Sequence, residues 1–130
     1  MAELTEDPSR LQTLNTPQLY DPEIVCFFDG VKADSKGDAH FLLKHADGPA
    51  FYTRYKPAQF DHAARWILHN ADQQVAAFVL PATCEPEGYL AEKAKGNVRE
   101  LAAGERAWFS VTTGYLAAAE VRQLEGDLKP

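Results

Sequence analysis

Glu85 stands in the stretch Ala82-Thr83-Cys84-Glu85-Pro86-Glu87-Gly88, directly after an apolar run and directly before a proline. Proline lacks an N–H and fixes its own φ, and glycine favours turns, so a strand ends here and carries a carboxylate out of the sheet. Such a carboxylate is either a solvated turn residue or a group held at the mouth of a pocket. Asp38 repeats the situation, opening a second strand after Lys36-Gly37. Strand ends are where sheets commonly present functional groups. The four histidines, His40, His45, His62 and His69, are separated by five, seventeen and seven residues, and no metal-ligand spacing results. His40 and His45 point to opposite faces of one strand. No metal is expected. Ser110 has no G-x-S-x-G elbow around it, and neither a GxGxxG nor a P-loop pattern occurs, so no serine hydrolase and no cofactor are expected.

The elements that must position these groups show a period of two. In residues 62–70, HAARWILHN, the residues Ala64, Trp66 and Leu68 fall on one face and Arg65, Ile67 and His69 on the other. PEIVCFFDG (22–30), DAHFLLKH (38–45), PAFYTRYK (49–56), QVAAFVLPA (74–82) and ERAWFSVTTGYL (105–116) share this length and β-branched or aromatic content. Ala46-Asp47-Gly48-Pro49 and His69-Asn70-Ala71-Asp72 have the length of hairpin connections, so sequence neighbours pair antiparallel. Residues 86–104 read as a long loop with at most one helical turn. Ala117 to Leu124 has helix-forming composition, ended by Gly126. The expected fold is all-β: a mainly antiparallel β-sandwich with a short C-terminal helix, its core including Ile24, Phe41, Trp66, Phe78 and Phe109.

With 130 residues, 45% hydrophobic and 25% charged, the chain suffices for one domain, placed at 20–130 behind an N-terminal arm at 1–19. Thirteen basic against nineteen acidic residues give a net charge of −6, which disfavours nucleic acid and anionic lipid as partners. No run approaches the roughly 18 apolar residues that span a bilayer, and the acidic N-terminus lacks a signal peptide's apolar core, so a cytoplasmic location is expected. Cys26 and Cys84 lie in or beside apolar runs and read as reduced, buried thiols.

Taken in order, GDAHFLL (37–43), FYTRY (51–55), RWILHNADQQVAAFVLPATCEPEGY (65–89) and LAAGERAWFSVTTGYL (101–116) resemble the C-terminal part of the aldose 1-epimerase (galactose mutarotase-like) family. The resemblance spans about residues 19–121 and implies part of that family's supersandwich, with a monosaccharide or sugar derivative as ligand and isomerase chemistry if the site is active. By match to the Glu-Pro motif it implies that Glu85 is the catalytic base. By match to the Asp-His strand it implies that Asp38 binds sugar hydroxyls, with His40 a pocket residue; Arg65 is a further expected substrate-binding residue. Ala39 interrupts the usual Asp-His pair. Ring opening takes a proton from the anomeric hydroxyl and delivers one to the ring oxygen, so a base and an acid must flank the sugar. Burial by Phe78, Leu80 and Tyr89 would raise the Glu85 pKa, and a cation such as Arg65 or Arg54 would lower it.

Family members are about twice as long, and their ring-protonating histidines lie in an N-terminal half with no match here. Three readings follow: a carbohydrate-binding relative without catalysis, a chain completed by assembly, or a small β-sandwich interaction protein with no sugar chemistry. A half-length sandwich leaves apolar faces to cover. A two-fold homodimer covers them, or else the arm folds back through Leu11, Leu14 and Leu19.

Overall fold

A computed structural model describes residues 20–28 and 30–128, with the backbone alone for 74–78. The N-terminal arm and its leucines lie outside the described residues, as does the side chain of Phe78. Among the described residues, six strands and two helices run in the order β1 (Ile24–Phe28), β2 (Ala39–Lys44), β3 (Ala50–Tyr55), β4 (His62–His69), β5 (Gln74–Ala82), α1 (Tyr89–Lys95), β6 (Val111–Leu116) and α2 (Ala118–Asp127). The strands form two three-stranded antiparallel sheets, ordered β1-β4-β5 and β2-β3-β6.

Both hairpins form where turn chemistry places them. β2 and β3 pair from Ala39↔Tyr55 to Lys44↔Ala50, closed by His45 N–H donating to the Pro49 carbonyl at 2.8 Å. Asn70 caps the β4–β5 turn by accepting from the N–H groups of Asp72 and Gln73 at 3.0 and 2.8 Å. The remaining pairings are long-range: β1 joins β4 and β6 joins β3.

The all-β sandwich expected from the sequence is corrected to a mixed α/β fold: the described residues form two open three-stranded sheets and two true helices, one internal and one C-terminal. The β1-β4-β5 sheet meets one face of β2-β3-β6, where Ala39 and Tyr55 pack with Ala63 and draw in Phe28, Phe41 and Val79. Tyr20 and Ile67 form a second cluster with Ile24 and Leu43. The opposite face of β2-β3-β6 meets α2 in place of a further sheet, with Lys44 bridging Glu125 at 2.7 Å. Where the loop at 86–104 was expected, α1 forms because it is fastened at both ends. Glu92 N–H donates to the Gly88 carbonyl, and Gly96, at φ 82°, turns the chain back so that Asn97 N–H donates to the Glu92 carbonyl at 2.9 Å.

The inward face of β4 is also the reverse of the expected one. Ile67 and Ala63 are buried between the sheets, whereas Trp66 is half-buried and donates its indole N–H to Glu23 at 2.5 Å. Indole carries a donor that needs a partner, which favours the sheet's outer face. Phe109 is exposed apart from a ring contact with Phe60, since regular pairing begins only at Val111. Gly126 lies inside α2, which continues until Leu128 N–H reaches the Leu124 carbonyl. Among the described residues no helix is long and apolar enough to cross a membrane.

Candidate functional site

Residues 34–38, Asp-Ser-Lys-Gly-Asp, form a tight loop leading into β2. The Asp34 carboxylate accepts from the backbone N–H of Lys36 and Asp38 at 2.8 and 2.9 Å, and Gly37 N–H donates to the Asp34 carbonyl at 3.0 Å. Gly37 adopts φ 81°, which lets so short a loop close. The second Asp34 oxygen meets His40 Nε2 at 2.9 Å, and His40 Nδ1 meets the Tyr52 hydroxyl at 2.9 Å. His40 and Tyr52 project from the α2-facing side of β2 and β3, beside Arg54, which is the register partner of His40.

Electrostatics fixes the direction of these bonds. The Asp38 backbone N–H, then His40, hold the Asp34 carboxyl down to about 2 against an ordinary 3.8, so Asp34 is a carboxylate and His40 Nε2–H donates to it. Burial pushes the Tyr52 phenol upward, reinforced by Asp38 and Asp34 and opposed by Arg54, so Tyr52 keeps its proton at neutral pH. In the tautomer that carries its hydrogen on Nε2 alone, His40 offers Nδ1 as acceptor and the Tyr52 O–H donates to it. The result is a relay of carboxylate, imidazole and phenol. The relay gives the Tyr52 proton a hydrogen-bonded path to His40 and sets a carboxylate behind that imidazole, the arrangement general-base chemistry uses.

This relay forms part of the wall of a cleft of about 880 Å³, together with Asp38, Arg54, Lys36 and, from α2 and its C-cap, Leu124, Asp127 and Leu128. Asp38 pairs with Lys56 at 3.1 Å. Acceptors, donors and an apolar strip therefore converge on one concavity.

Of the residues singled out in the sequence, Asp38 and His40 come together here, and Glu85 and Arg65 do not line this cleft. Arg65 lies on β4 opposite Cys26, and its partial burial lowers its pKa. Cys26 and Cys84 are free thiols, each half-buried, with burial pushing Cys26 upward against the pull of Arg65. Glu85 and Glu87 both bind Lys95, which also lies 3.4 Å from Glu92. These three glutamates bring carboxylate oxygens within 4.8 Å of one another. Lys95 supplies their countercharge, and Glu85 and Glu87 raise its pKa. Buried Glu92 accepts from Asn97 Nδ2 and from Glu85 N–H at 2.8 and 2.9 Å, and Asn97 is the main cause of its lowered pKa.

Sequence reasoning missed Asp34, Tyr52 as a hydrogen-bonding partner, and α2 as a wall. The available signal was Asp34-x-x-Gly37, an aspartate spaced to cap its own turn ahead of a strand bearing histidine.

The Asp34 anchor gives a pH signature. Its folded pKa lies below its ordinary value, so its contribution to stability is complete above pH 3.8 and is lost as pH falls from there to about 2. Asp34→Asn is expected to flatten the stability curve across that window, as followed by urea unfolding at successive pH values. An unchanged curve would count against the anchor.

No family model matches the chain, and comparison with curated proteins and with solved structures gives no match.

Proposed function

We propose that the chain binds a small polyhydroxylated ligand of monosaccharide type in the cleft between β2-β3-β6 and α2. The observation that carries this reading is His40 held between the Asp34 carboxylate and the Tyr52 hydroxyl, with Asp38 and Arg54 on the same cleft wall. Vicinal hydroxyls each need a donor and an acceptor. Tyr52 oxygen and Asp38 offer acceptors and Arg54 offers paired donors, while Leu124 and Leu128 suit the C–H face of a sugar ring. The resemblance noted in the sequence assigns sugar hydroxyls to the same Asp38.

Calorimetric titration with glucose, galactose and their derivatives tests the reading. Hydrogen bonds to charged groups contribute about 1.5–3 kcal/mol, so Asp38→Asn should weaken binding tenfold or more, and His40→Ala should weaken it by releasing the Tyr52 hydroxyl from its partner. Glu85→Gln should leave the affinity unchanged, since Glu85 does not line the cleft. Binding lost in Glu85→Gln but kept in His40→Ala would move the site to the loop after β5. An anomer-exchange assay on the same proteins separates binding from turnover.

A further inference from the structure

β6 closes one side of its sheet, and among the described residues its outer edge has no strand partner. Its first five residues are exposed on both faces. A natural edge strand is ordinarily guarded by proline, by lysine or by an inward charge. Here, from Ala107 to Ala119, the chain contains neither a proline nor a charged residue. The same stretch and its neighbour β3 expose large side chains: Trp108 is 77%, Tyr115 58%, Phe109 48% and Phe51 46% accessible. Phe51, Tyr115 and His45 already cluster edge to face, with 5.6 Å between the Phe51 and Tyr115 rings.

We infer that β6 is a homodimer interface, in which two copies pair their β6 strands antiparallel about a two-fold axis at Thr113 and join their sheets into one of six strands.

Charge and area select a second copy as occupant. A chain of net charge −6 repels its own kind except where it is neutral, and the run 107–119 is its uncharged surface beside an open edge. Aromatic side chains carry about 150–250 Å² each, so the four above leave roughly 350–550 Å² of aromatic surface in water. Val111, the threonines and the edge backbone extend this toward the roughly 800 Å² per partner of a stable interface. The sequence is also self-complementary. With Thr113 opposite its own copy, Val111 falls opposite Tyr115 on the same face, giving a threonine pair flanked by two aromatic–β-branched pairs of the kind that stabilise antiparallel sheets. Thr112 falls opposite Gly114, which leaves room on the α2-facing side. The inference is independent of the ligand cleft and needs no sugar.

Sedimentation equilibrium of the full chain at micromolar concentration should give twice the 14.4 kDa chain mass. Thr113→Lys sets two like charges directly opposite each other at the axis and should give a monomer with an unchanged far-UV spectrum. Thr113→Cys, treated with diamide, should form a covalent dimer that the parent chain with its own two cysteines does not. A full chain that is monomeric throughout the micromolar range overturns the proposal, as does a dimer indifferent to Thr113→Lys. A monomer that associates only after removal of residues 1–17 also overturns it and gives the face to the N-terminal arm. Should Thr113→Lys fail to fold, a dimer of Thr113→Cys that diamide leaves uncrosslinked is equally decisive against this register.

Discussion

Ile67→Ala is expected to cost about 2–5 kcal/mol of unfolding free energy, measured by urea or guanidinium denaturation. Ile67 is 1% exposed and packs with Tyr20, Ile24 and Leu43, joining the two sheets. Truncation there removes transfer free energy and leaves a cavity that neighbours from β1, β2 and the segment before β1 cannot easily fill. Small domains hold only about 5–15 kcal/mol in total, so this one change consumes a large share. Ile67→Val, at about 0.5–1.5 kcal/mol, provides the graded control. Trp66→Ala should cost less than Ile67→Ala, because Trp66 is only half-buried on the outer face. The reverse order would restore the face that simple alternation suggests.

Tyr55 is expected to respond in opposite directions to two substitutions. Its ring is 2% exposed, stacked 5.7 Å from Phe41 and edge-on to Phe60, so Tyr55→Ala should cost about 3–5 kcal/mol, as for other buried aromatics. Its hydroxyl is buried without a hydrogen-bond partner among the described residues. A buried unpaired hydroxyl carries a desolvation penalty of about 1–3 kcal/mol, so Tyr55→Phe should stabilise the fold by about 1 kcal/mol. Equal melting temperatures for Tyr55→Phe and the parent would mean that the hydroxyl is satisfied in solution.

What the sequence made legible was local. Asp47-Gly48 and Asn70-Ala71-Asp72 mark the two hairpins because turn chemistry is written in adjacent residues, and period two marks most strands. Which strands meet across long gaps, β1 with β4 and β3 with β6, depends on packing that no short window contains. The same reason hides α1. Its seven residues are too few to be helical alone, and buried Glu92 fastens them by accepting from Glu85 and Asn97 outside the helix. Trp108 and Phe109 read as strand because they are aromatic, but pairing with β3 begins only at Val111. At the candidate site, Asp38 and His40 were legible as a carboxylate and an imidazole opening one strand. Asp34 and Tyr52 become partners only when the loop before β2 folds back and β3 pairs alongside.

The β2–β3 turn reaches further than its size suggests. Gly48 holds φ 107°, and a Cβ there would stand 3.1 Å from the Ala118 side chain, at the first residue of α2. The other end of that helix supplies Leu124, Asp127 and Leu128 to the cleft wall, about 15 Å away along a ten-residue helix. The turn at Gly48 thus packs against the first residue of the same helix whose last turn helps to wall the cleft. Hairpin tip and cleft therefore share one element, and a side chain added at position 48 would press on the start of it.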